Sequence, residues 1–303
     1  MRIPPFNPYI ALVIGVISVS AAAVFVKLAD GAPAAIIANY RLLFAVLIMS
    51  PIIFTKYRHE LQSINKKNWT LLCFAGVFLA IHFILWFESL NYTSVTSSVV
   101  LVTMQPLFAF ILTYFFFGER FSQGTIISII IAILGSVIIG WVDFLKSGTA
   151  LFGDILALLA AILMAAYLIL GQQTRNKLSL MTYTFIVYGV SSITLFFYNL
   201  IMQHSFIHYP IEYWAIFVAL AIIPTLLGQS LFNWAHKWLS PATVSMAIIF
   251  EPIGATILAY LILNETVTGS QVLGGTIVVF GLFLLILSTS RKSSVTISKK
   301  IRD

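Results

Sequence analysis

Two charged side chains lie within apolar runs long enough to cross a membrane, where an unpaired ion is costly. Glu251 stands beside a proline in FEPIGATILAYLILNE, from Phe250 to Glu265, and its carboxylate is suited to pair with a substrate ammonium or to accept a coupling proton. The alternative is a neutral glutamic acid that hydrogen-bonds between helices. Arg41 is suited to bind a substrate carboxylate through two parallel hydrogen bonds. Its alternatives are an ion pair with Glu88 or a side chain that extends to the membrane surface.

Uncharged polar and aromatic residues in neighbouring apolar runs are further candidates for contact with a substrate. His82 and Trp86 are one helical turn apart, so they share a face and could bind an aromatic or cationic substrate. Trp86 could instead be an interfacial anchor, and the same-face pair Gln229 and Asn233 could instead form hydrogen bonds between helices. Tyr188 is also a candidate, with packing as its alternative. The predicted substrate-binding residues are therefore Arg41, His82, Trp86, Gln105, Tyr188, Gln229, Asn233 and Glu251.

The composition indicates that membrane-spanning helices position these residues. The 303 residues are 60% hydrophobic and 9% charged, whereas a soluble domain has about 25% charged residues. A spanning helix needs roughly 20 apolar residues. The sequence therefore predicts an all-α polytopic membrane protein with ten transmembrane helices. The ten segments cover residues 9–28, 34–54, 69–90, 92–117, 121–141, 151–171, 181–202, 211–233, 241–263 and 269–289.

The positions of the basic residues predict how these helices are oriented. With alternating loops, lysine and arginine collect on the side that holds both termini, whereas only Lys27 and Lys146 fall on the other side and Arg41 lies within a span. Cytoplasmic loops carry the excess of positive charge, so both termini are expected in the cytoplasm, with the protein in the cytoplasmic membrane. The net charge of +7 is explained by this topology, and no nucleic-acid partner is predicted.

Several kinds of chemistry are disfavoured by the same sequence. Cys73 is the only cysteine, so neither an intrachain disulfide nor a cysteine-rich metal site can form. The histidines lack the carboxylate or cysteine spacing of a zinc site, and the sequence contains no GxxxxGKS/T motif for ATP binding. No cofactor and no metal are predicted.

An internal repeat relates the two halves of the sequence. A shift of 146 residues, the difference between positions 252 and 106, aligns the last two predicted helices of each half without a gap. Because the repeat unit holds five helices, an odd number, its two copies must be inverted in the membrane, a design of secondary transporters. The predicted units are residues 1–145 and 146–290, followed by a basic cytoplasmic tail at 291–303. The shift aligns Ser94 with Ser240, Gln105 with Glu251, Pro106 with Pro252, Ala109 with Ala255, Tyr114 with Tyr260, Glu119 with Glu265 and Gly135 with Gly281.

The paired prolines remove backbone hydrogen bonds near the middle of two predicted helices. Pro106 and Pro252 have no N–H group, which leaves the carbonyls of Val102 and Ile248 without their helical donors. These carbonyls could contact a ligand. The alternative is that the prolines only kink the helices around a cavity.

Other residues are predicted to shape helix ends and helix contacts. Ser122 and Thr268 are the expected N-caps of the fifth and tenth helices. Glu119 and Glu265 lie at loop edges, where a charge costs little, and are expected to be helix-end or turn residues. Small residues that permit close helix packing are Gly124, Ser128, Ala132, Gly135, Gly274, Gly275 and Gly281.

Three stretches resemble a known family. They are ANYRLLFA (Ala38 to Ala45), WFESLNYTSVTSSVVLVTMQPLFAFILTYFFFGERFS (Trp86 to Ser122) and FEPIGATILAYLILNETVT (Phe250 to Thr268). Together they are similar to the drug/metabolite transporter superfamily, in particular its EamA branch of ten-helix carriers. The resemblance implies an inner-membrane exporter of amino acids or other metabolites, with a central cavity between two five-helix halves. The chain departs from the family pattern at Asn264, where glycine often precedes the glutamate.

These observations predict a secondary transporter that exports small metabolites, above all amino acids or related amphipathic compounds, by alternating access. The expected partners are a small-molecule substrate and the lipid bilayer, with the chain as a monomer or a homodimer. Proton coupling through Glu251 or His82 is a further hypothesis. One alternative is an uncoupled facilitator or exchanger of other metabolites such as nucleotide sugars, which would need several cationic groups. Another is an intramembrane enzyme acting on lipid, but His82, Glu88 and Glu251 fall at different depths, so the chain is not expected to be an enzyme.

Overall fold

The computed structural model describes residues 7–117, 122–175, 178–235, 238–239, 244 and 247–302. Within these ranges the side chains of 116–117, 142–144, 146, 172–173, 175, 233 and 289–302 lie outside the description. Glu119 and Ser240, which the repeat pairs with Glu265 and Ser94, also lie outside the described residues. Every regular element in the described ranges is helical.

The helices follow one another with short connections. A π-helical segment, Ala221–Gly228, interrupts the eighth predicted span between α10 and α11. The short helix α3 was not predicted. The α-helices are α1 (Pro8–Leu28), α2 (Ala34–Lys56), α3 (Arg58–Ser63), α4 (Lys66–Tyr92), α5 (Val95–Val102), α6 (Gln105–Phe117), α7 (Gln123–Lys146), α8 (Gly148–Arg175), α9 (Leu180–Ile201), α10 (Ile211–Leu220), α11 (Gln229–Ala235), α12 (Glu251–Leu263) and α13 (Gly269–Arg302).

The described helices confirm an all-α polytopic membrane protein. Nine stretches of described residues are long and apolar enough to cross a membrane, with α5 and α6 counted as one span. The apolar helix α12 is shorter, at 13 residues, so the count of ten spans stays a prediction. Large apolar side chains such as Phe115 and Ile201 are mostly exposed, as expected for a surface that faces lipid.

Two predicted spans are broken where the sequence analysis placed continuous helices. α5 ends at Val102 and α6 begins at Gln105, after a turn at residues 103–104. α12 begins at Glu251, after a turn at residues 249–250. Proline is favourable near a helix start, where its missing N–H has no helical partner to lose, and each proline lies in the first turn of the new helix. Glu251 is therefore the first residue of a helix and does not lie halfway along one.

Helices α6 and α12 correspond closely in register. Both have 13 residues, and the shift of 146 carries Gln105–Phe117 onto Glu251–Leu263. The same shift brings α2 onto α9 and the start of α7 onto the start of α13. The inverted repeat itself stays a prediction, but these boundaries extend its support to helices that match poorly in sequence.

Helix contacts join the first half of the chain to the second. α4 packs against α8 and α9, α2 against α9, and α7 against α13. α1 packs against the π segment, α11 and α12. Under the shift of 146, the contact of α4 with α8 corresponds to the contact of the π segment and α11 with α1. This is the pattern that two related halves would give.

The predicted caps and small faces are confirmed where they are described. Ser122 Oγ accepts from the backbone N–H of Thr125 at 3.2 Å, and Thr268 Oγ1 accepts from that of Gln271 at 3.4 Å. A Cβ atom on Gly135 would lie 2.7 Å from the carbonyl oxygen of Gly274, so α7 and α13 pack backbone to backbone. The N-cap hydroxyls and the glycines thus have the roles that their spacing predicted.

Two predicted loop regions are helical. α7 runs to Lys146 and α8 begins at Gly148, so most of the predicted connection at 142–150 belongs to these helices. α13 continues to Arg302, through the segment predicted as a solvated tail. In both places the sequence analysis ended a helix at charged residues, although charge is compatible with a helix outside the bilayer.

Candidate functional site

A cavity of about 260 Å³ lies between the two halves of the chain, near the breaks before α6 and α12. Its wall contains six of the eight residues predicted to bind a substrate: Arg41, His82, Trp86, Gln105, Gln229 and Glu251. The remaining lining residues are Val19, Ala22, Phe83, Val102, Thr103, Met164, Leu168, Pro224, Phe232 and Ile248.

Arg41 is a buried cation held in place from two sides. Its Nε donates to Thr225 Oγ1 at 2.7 Å, and its guanidinium carbon lies 4.6 Å from the ring centroid of Phe83. The side chain is 6% exposed, and Nη1 is buried without a hydrogen-bond partner. Arg41 therefore offers the cavity a positive charge and an unused donor.

The described residues show neither alternative for Arg41. Glu88, the expected ion-pair partner, accepts a hydrogen bond from Asn91 Nδ2 at 3.3 Å. No ion pair within 4.0 Å joins Arg41 to a carboxylate in the described part of the chain. An exposure of 6% also excludes extension of the side chain to the membrane surface.

The π segment places the hydroxyl that holds Arg41. Thr225 donates from Oγ1 to the carbonyl of Leu220, five residues earlier, at 2.7 Å, which leaves its lone pairs to accept from Arg41 Nε. Pro224 lies inside this segment and has no N–H for a regular helical bond. The sequence analysis missed Thr225, although a proline within an apolar run was a signal for irregular backbone at this position.

His82 and Trp86 form one aromatic wall of the cavity. His82 is 4% exposed and donates from Nδ1 to the carbonyl of Ala160 at 2.9 Å, because a carbonyl can only accept. The ring centroids of His82 and Trp86 are 5.8 Å apart. Trp86 Nε1 is buried without a hydrogen-bond partner. The predicted same-face pair therefore lies at the cavity, and Trp86 is not an interfacial anchor.

The residues at the two helix breaks add an uncharged amide and a carboxyl group to the cavity that Arg41 lines. Gln105 begins α6 and Glu251 begins α12, and both line the cavity. Arg41 and Glu251 line the same cavity. Ser20 on α1 donates to the backbone carbonyl of Glu251 at 3.0 Å, which fixes the start of α12 against the first half.

The remaining predicted residues divide between the cavity and its surroundings. Gln229 lines the cavity at the start of α11. Tyr188 is buried outside the cavity wall, within electrostatic range of Arg41. The side chain of Asn233 lies outside the described residues. The sequence analysis did not single out Asp154, a buried carboxylate on α8 that accepts from Thr93 Oγ1 at 2.9 Å.

Comparison with known families and proteins relates the chain to transporters. The model of the EamA-like transporter family matches residues 7–141 and 151–287. The uncharacterized transporter YxxF of Bacillus subtilis (strain 168) is 29% identical over 243 residues, which cover 80% of this chain and 76% of the relative. An uncharacterized transporter of Archaeoglobus fulgidus is 23% identical over 274 residues, covering 90% and 94%.

More distant similarity extends across kingdoms and to a solved structure. The WAT1-related protein At5g40210 of Arabidopsis thaliana is 22% identical over 283 residues, which cover 85% of this chain and 80% of the relative. One crystal structure superposes with a TM-score of 0.63 at 14% identity, covering 94% of this chain and 98% of the other. At this identity the similarity to the crystal structure concerns the fold.

Proposed function

The chain belongs to the EamA-like transporter family, and we propose that it exports small zwitterionic metabolites, above all amino acids, across the cytoplasmic membrane. One observation supports this choice: Arg41 and Glu251, of opposite charge, line the same cavity. The carboxylate of a zwitterion would lie at Arg41 and its ammonium at Glu251. Because intramembrane charges are costly, a carrier gains by supplying one countercharge for each charge of its substrate.

Transport would occur by alternating access between two inverted five-helix halves, residues 1–145 and 146–290. The double match of the family model, the common register of α6 and α12 and the reciprocal helix contacts support this division. In inverted-repeat carriers the substrate lies near the midplane, where the halves meet and where helices are discontinuous. The cavity is lined by helices of both halves, which supports this mechanism.

The substrate is tested first by comparing the metabolites released by cells with and without the protein, followed by counterflow in proteoliposomes. We expect amino acids among the released compounds, and we expect Arg41→Gln and Glu251→Gln each to lower counterflow at least tenfold. Glu88→Gln is the matched control, since Glu88 does not line the cavity. If the released metabolites include no amino acids, the proposed substrate class is wrong. If both cavity variants show normal counterflow, the substrate does not pass through this cavity.

Proton coupling is a separate part of the proposal. Glu251 and His82 are titratable groups in the cavity wall, so either could carry a proton across with the conformational change. Uptake into inside-out vesicles should respond to an imposed pH gradient and lose that response in Glu251→Gln or His82→Gln. Uptake that is indifferent to the gradient would favour an uncoupled facilitator or exchanger.

Nucleotide sugars fit the cavity less well than amino acids. Their two phosphate groups need several cations, and Arg41 is the only lysine or arginine among the described residues that line the cavity. Inhibition of counterflow by a nucleotide sugar at concentrations where amino acids have no effect would reverse this preference.

A further inference from the structure

Two N–H groups in the cavity wall have no hydrogen-bond partner although they are buried. They are Nη1 of Arg41 and Nε1 of Trp86, on side chains that are each 6% exposed. A buried donor without an acceptor is unfavourable, and native structures retain few of them. Both side chains line one cavity, from helices α2 and α4, so a ligand in that cavity is the candidate source of the missing acceptors.

Neighbouring contacts already occupy other groups in this part of the cavity wall. Thr225 already occupies Nε of Arg41, and the ring of Phe83 lies over the guanidinium. His82 Nδ1 donates to the carbonyl of Ala160, so this atom is not available to donate to a ligand. The guanidinium is thus fixed in orientation before a ligand arrives, which lowers the entropy cost of binding.

The types of the two donors limit the chemistry of the ligand. Guanidinium and indole N–H groups donate and cannot accept, so the group between them must be an acceptor. Arg41 supplies one positive charge and Trp86 none, so a monoanion is matched, whereas a dianionic phosphate would leave one charge uncompensated. An ionised Glu251 in the same cavity wall would disfavour a second anionic group still further.

We propose that Arg41 Nη1 and Trp86 Nε1 form an anion subsite that binds one carboxylate of the transported molecule, with Thr225 as the positioning residue for the guanidinium. This inference rests on the proposed function. It adds that the carboxylate end of the zwitterion lies between α2 and α4. A carboxylate has two oxygens, one for each donor.

The subsite is tested with a pair of probes that differ only in the acceptor group. The probes are 4-methylpentanoate and its neutral isostere 4-methylpentanamide, titrated into the purified full-length protein with thermal unfolding as the readout. The carboxylate should stabilise the wild type, and the amide should not. Trp86→Phe should weaken the carboxylate affinity roughly tenfold, the value of one charge-assisted hydrogen bond. Equal effects of the two probes, or no effect of either on the wild type, would overturn the subsite.

Two further proteins keep the tryptophan test specific. Trp238→Phe is the matched control, because Trp238 Nε1 is also buried and unpaired but does not line the cavity, and it should bind the carboxylate as the wild type does. Benzothienylalanine at position 86 replaces only the N–H of the ring by sulfur and covers the case in which phenylalanine disturbs packing. Wild-type carboxylate affinity with benzothienylalanine would exclude Trp86 from the subsite.

The role of Thr225 is tested by rescue. Thr225→Val keeps the shape of the side chain but removes the acceptor for Arg41 Nε, so the carboxylate should bind several-fold more weakly. Thr225→Ser should restore the affinity, because the hydroxyl returns. If the Thr225→Val and Thr225→Ser variants bind the carboxylate with equal affinity, Thr225 does not position Arg41.

Leucine counterflow separates failure of this inference from failure of the proposed function. If leucine is transported but the carboxylate affinity is independent of Trp86, the proposed function stands and the subsite fails. If leucine is not transported but 4-methylpentanoate binding depends on Arg41 and Trp86, the subsite stands and the amino-acid assignment fails.

Discussion

At Arg41 the hydrogen-bonding geometry of the side chain matters as well as its charge. Its Nε donates to Thr225, its guanidinium stacks over Phe83, and its buried Nη1 has no hydrogen-bond partner. A lysine has one compact ammonium and no planar face, so it cannot satisfy the threonine and a ligand in the same way. The charge in the cavity and the hydrogen-bonding pattern can therefore be separated by mutation.

We predict that Arg41→Lys lowers counterflow roughly tenfold or more, although the charge is retained. The measurement is the initial rate of amino-acid counterflow at substrate concentrations below saturation. Arg58→Lys, in the short helix α3 outside the cavity, is the control and should transport normally. Full activity of Arg41→Lys would mean that only the charge of Arg41 matters.

Residue types predicted much of the site, but their partners were not predictable. Arg41, His82, Trp86 and Glu251 are conspicuous because polar groups within apolar runs are rare. Thr225 was missed because a threonine in a helix can satisfy its hydroxyl on its own backbone and so carries no signal. Its role arises from the π segment, which brings the hydroxyl of one half to the guanidinium of the other.

At the scale of elements, the α3 helix and the start of α9 are joined by one carboxylate. Glu60 accepts from Ser179 N–H at 3.2 Å, from Ser179 Oγ at 2.6 Å and from Thr182 Oγ1. Burial disfavours ionisation of Glu60, but these hydrogen bonds outweigh it and hold the pKa of Glu60 below its ordinary value of 4.5. The first half thereby caps a helix of the second half.

We predict that Glu60→Gln destabilises the protein by about 1 kcal/mol at neutral pH, the usual value of a helix cap. Because the pKa of Glu60 is lowered in the folded state, its stabilisation is complete above pH 4.5 and is lost as the pH falls through the lowered value. The difference in unfolding temperature between wild type and variant should therefore shrink below pH 4.5. Glu212→Gln, in the exposed first turn of α10, is the control. A difference that stays constant across this range would show that ionisation of Glu60 is unimportant.

Packing between α7 and α13 gives a second prediction for elements. A Cβ atom at position 135 would meet the carbonyl oxygen of Gly274 at 2.7 Å, whereas one at Gly189 in α9 has no atom within 4 Å. Gly135→Ala should therefore destabilise the protein by about 1–3 kcal/mol, despite the better helix propensity of alanine. Gly189→Ala should be neutral or slightly stabilising in the same thermal unfolding assay. Equal stability of the two variants would contradict the close approach of α7 and α13.

The helices themselves were predictable to different degrees. Length and hydropathy indicated nearly every span, because a run of about twenty apolar residues is typical of a membrane-spanning helix. The prolines indicated kinks, whereas the structure interrupts each helix with a two-residue turn, at 103–104 and 249–250. A kink and a break differ in whether neighbouring helices satisfy the freed backbone groups, and a local sequence pattern does not contain that information.

At the scale of the whole molecule, the distribution of lysine and arginine predicts the orientation in the membrane. Ser63 and Ser205 are both exposed, the first as the last residue of α3 and the second between α9 and α10. With both termini in the cytoplasm, Ser63 lies inside and Ser205 outside. Their similar size and exposure make them a matched pair of reporters.

We predict that a membrane-impermeant maleimide added to intact cells labels Ser205→Cys and spares Ser63→Cys. Both variants are made with Cys73→Ala, which removes the only native thiol. Both should be labelled after the membrane is permeabilised, which controls for reactivity. Labelling of Ser63→Cys alone in intact cells would reverse the assigned orientation.

If transport follows the proposed alternating access between inverted halves, the π segment has a consequence for the energetics of the cycle. In the first half, the positions that correspond to Ala221–Gly228 under the shift of 146 belong to the regular helix α4. Two identical inverted halves would give access states of equal free energy, since exchanging the halves interconverts them. The π segment is a wide helical turn in one half that the corresponding positions of the other half lack, so the two access states differ in free energy. The empty carrier should therefore rest with its cavity open to one particular side, and substrate must supply part of the energy that turns it to the other.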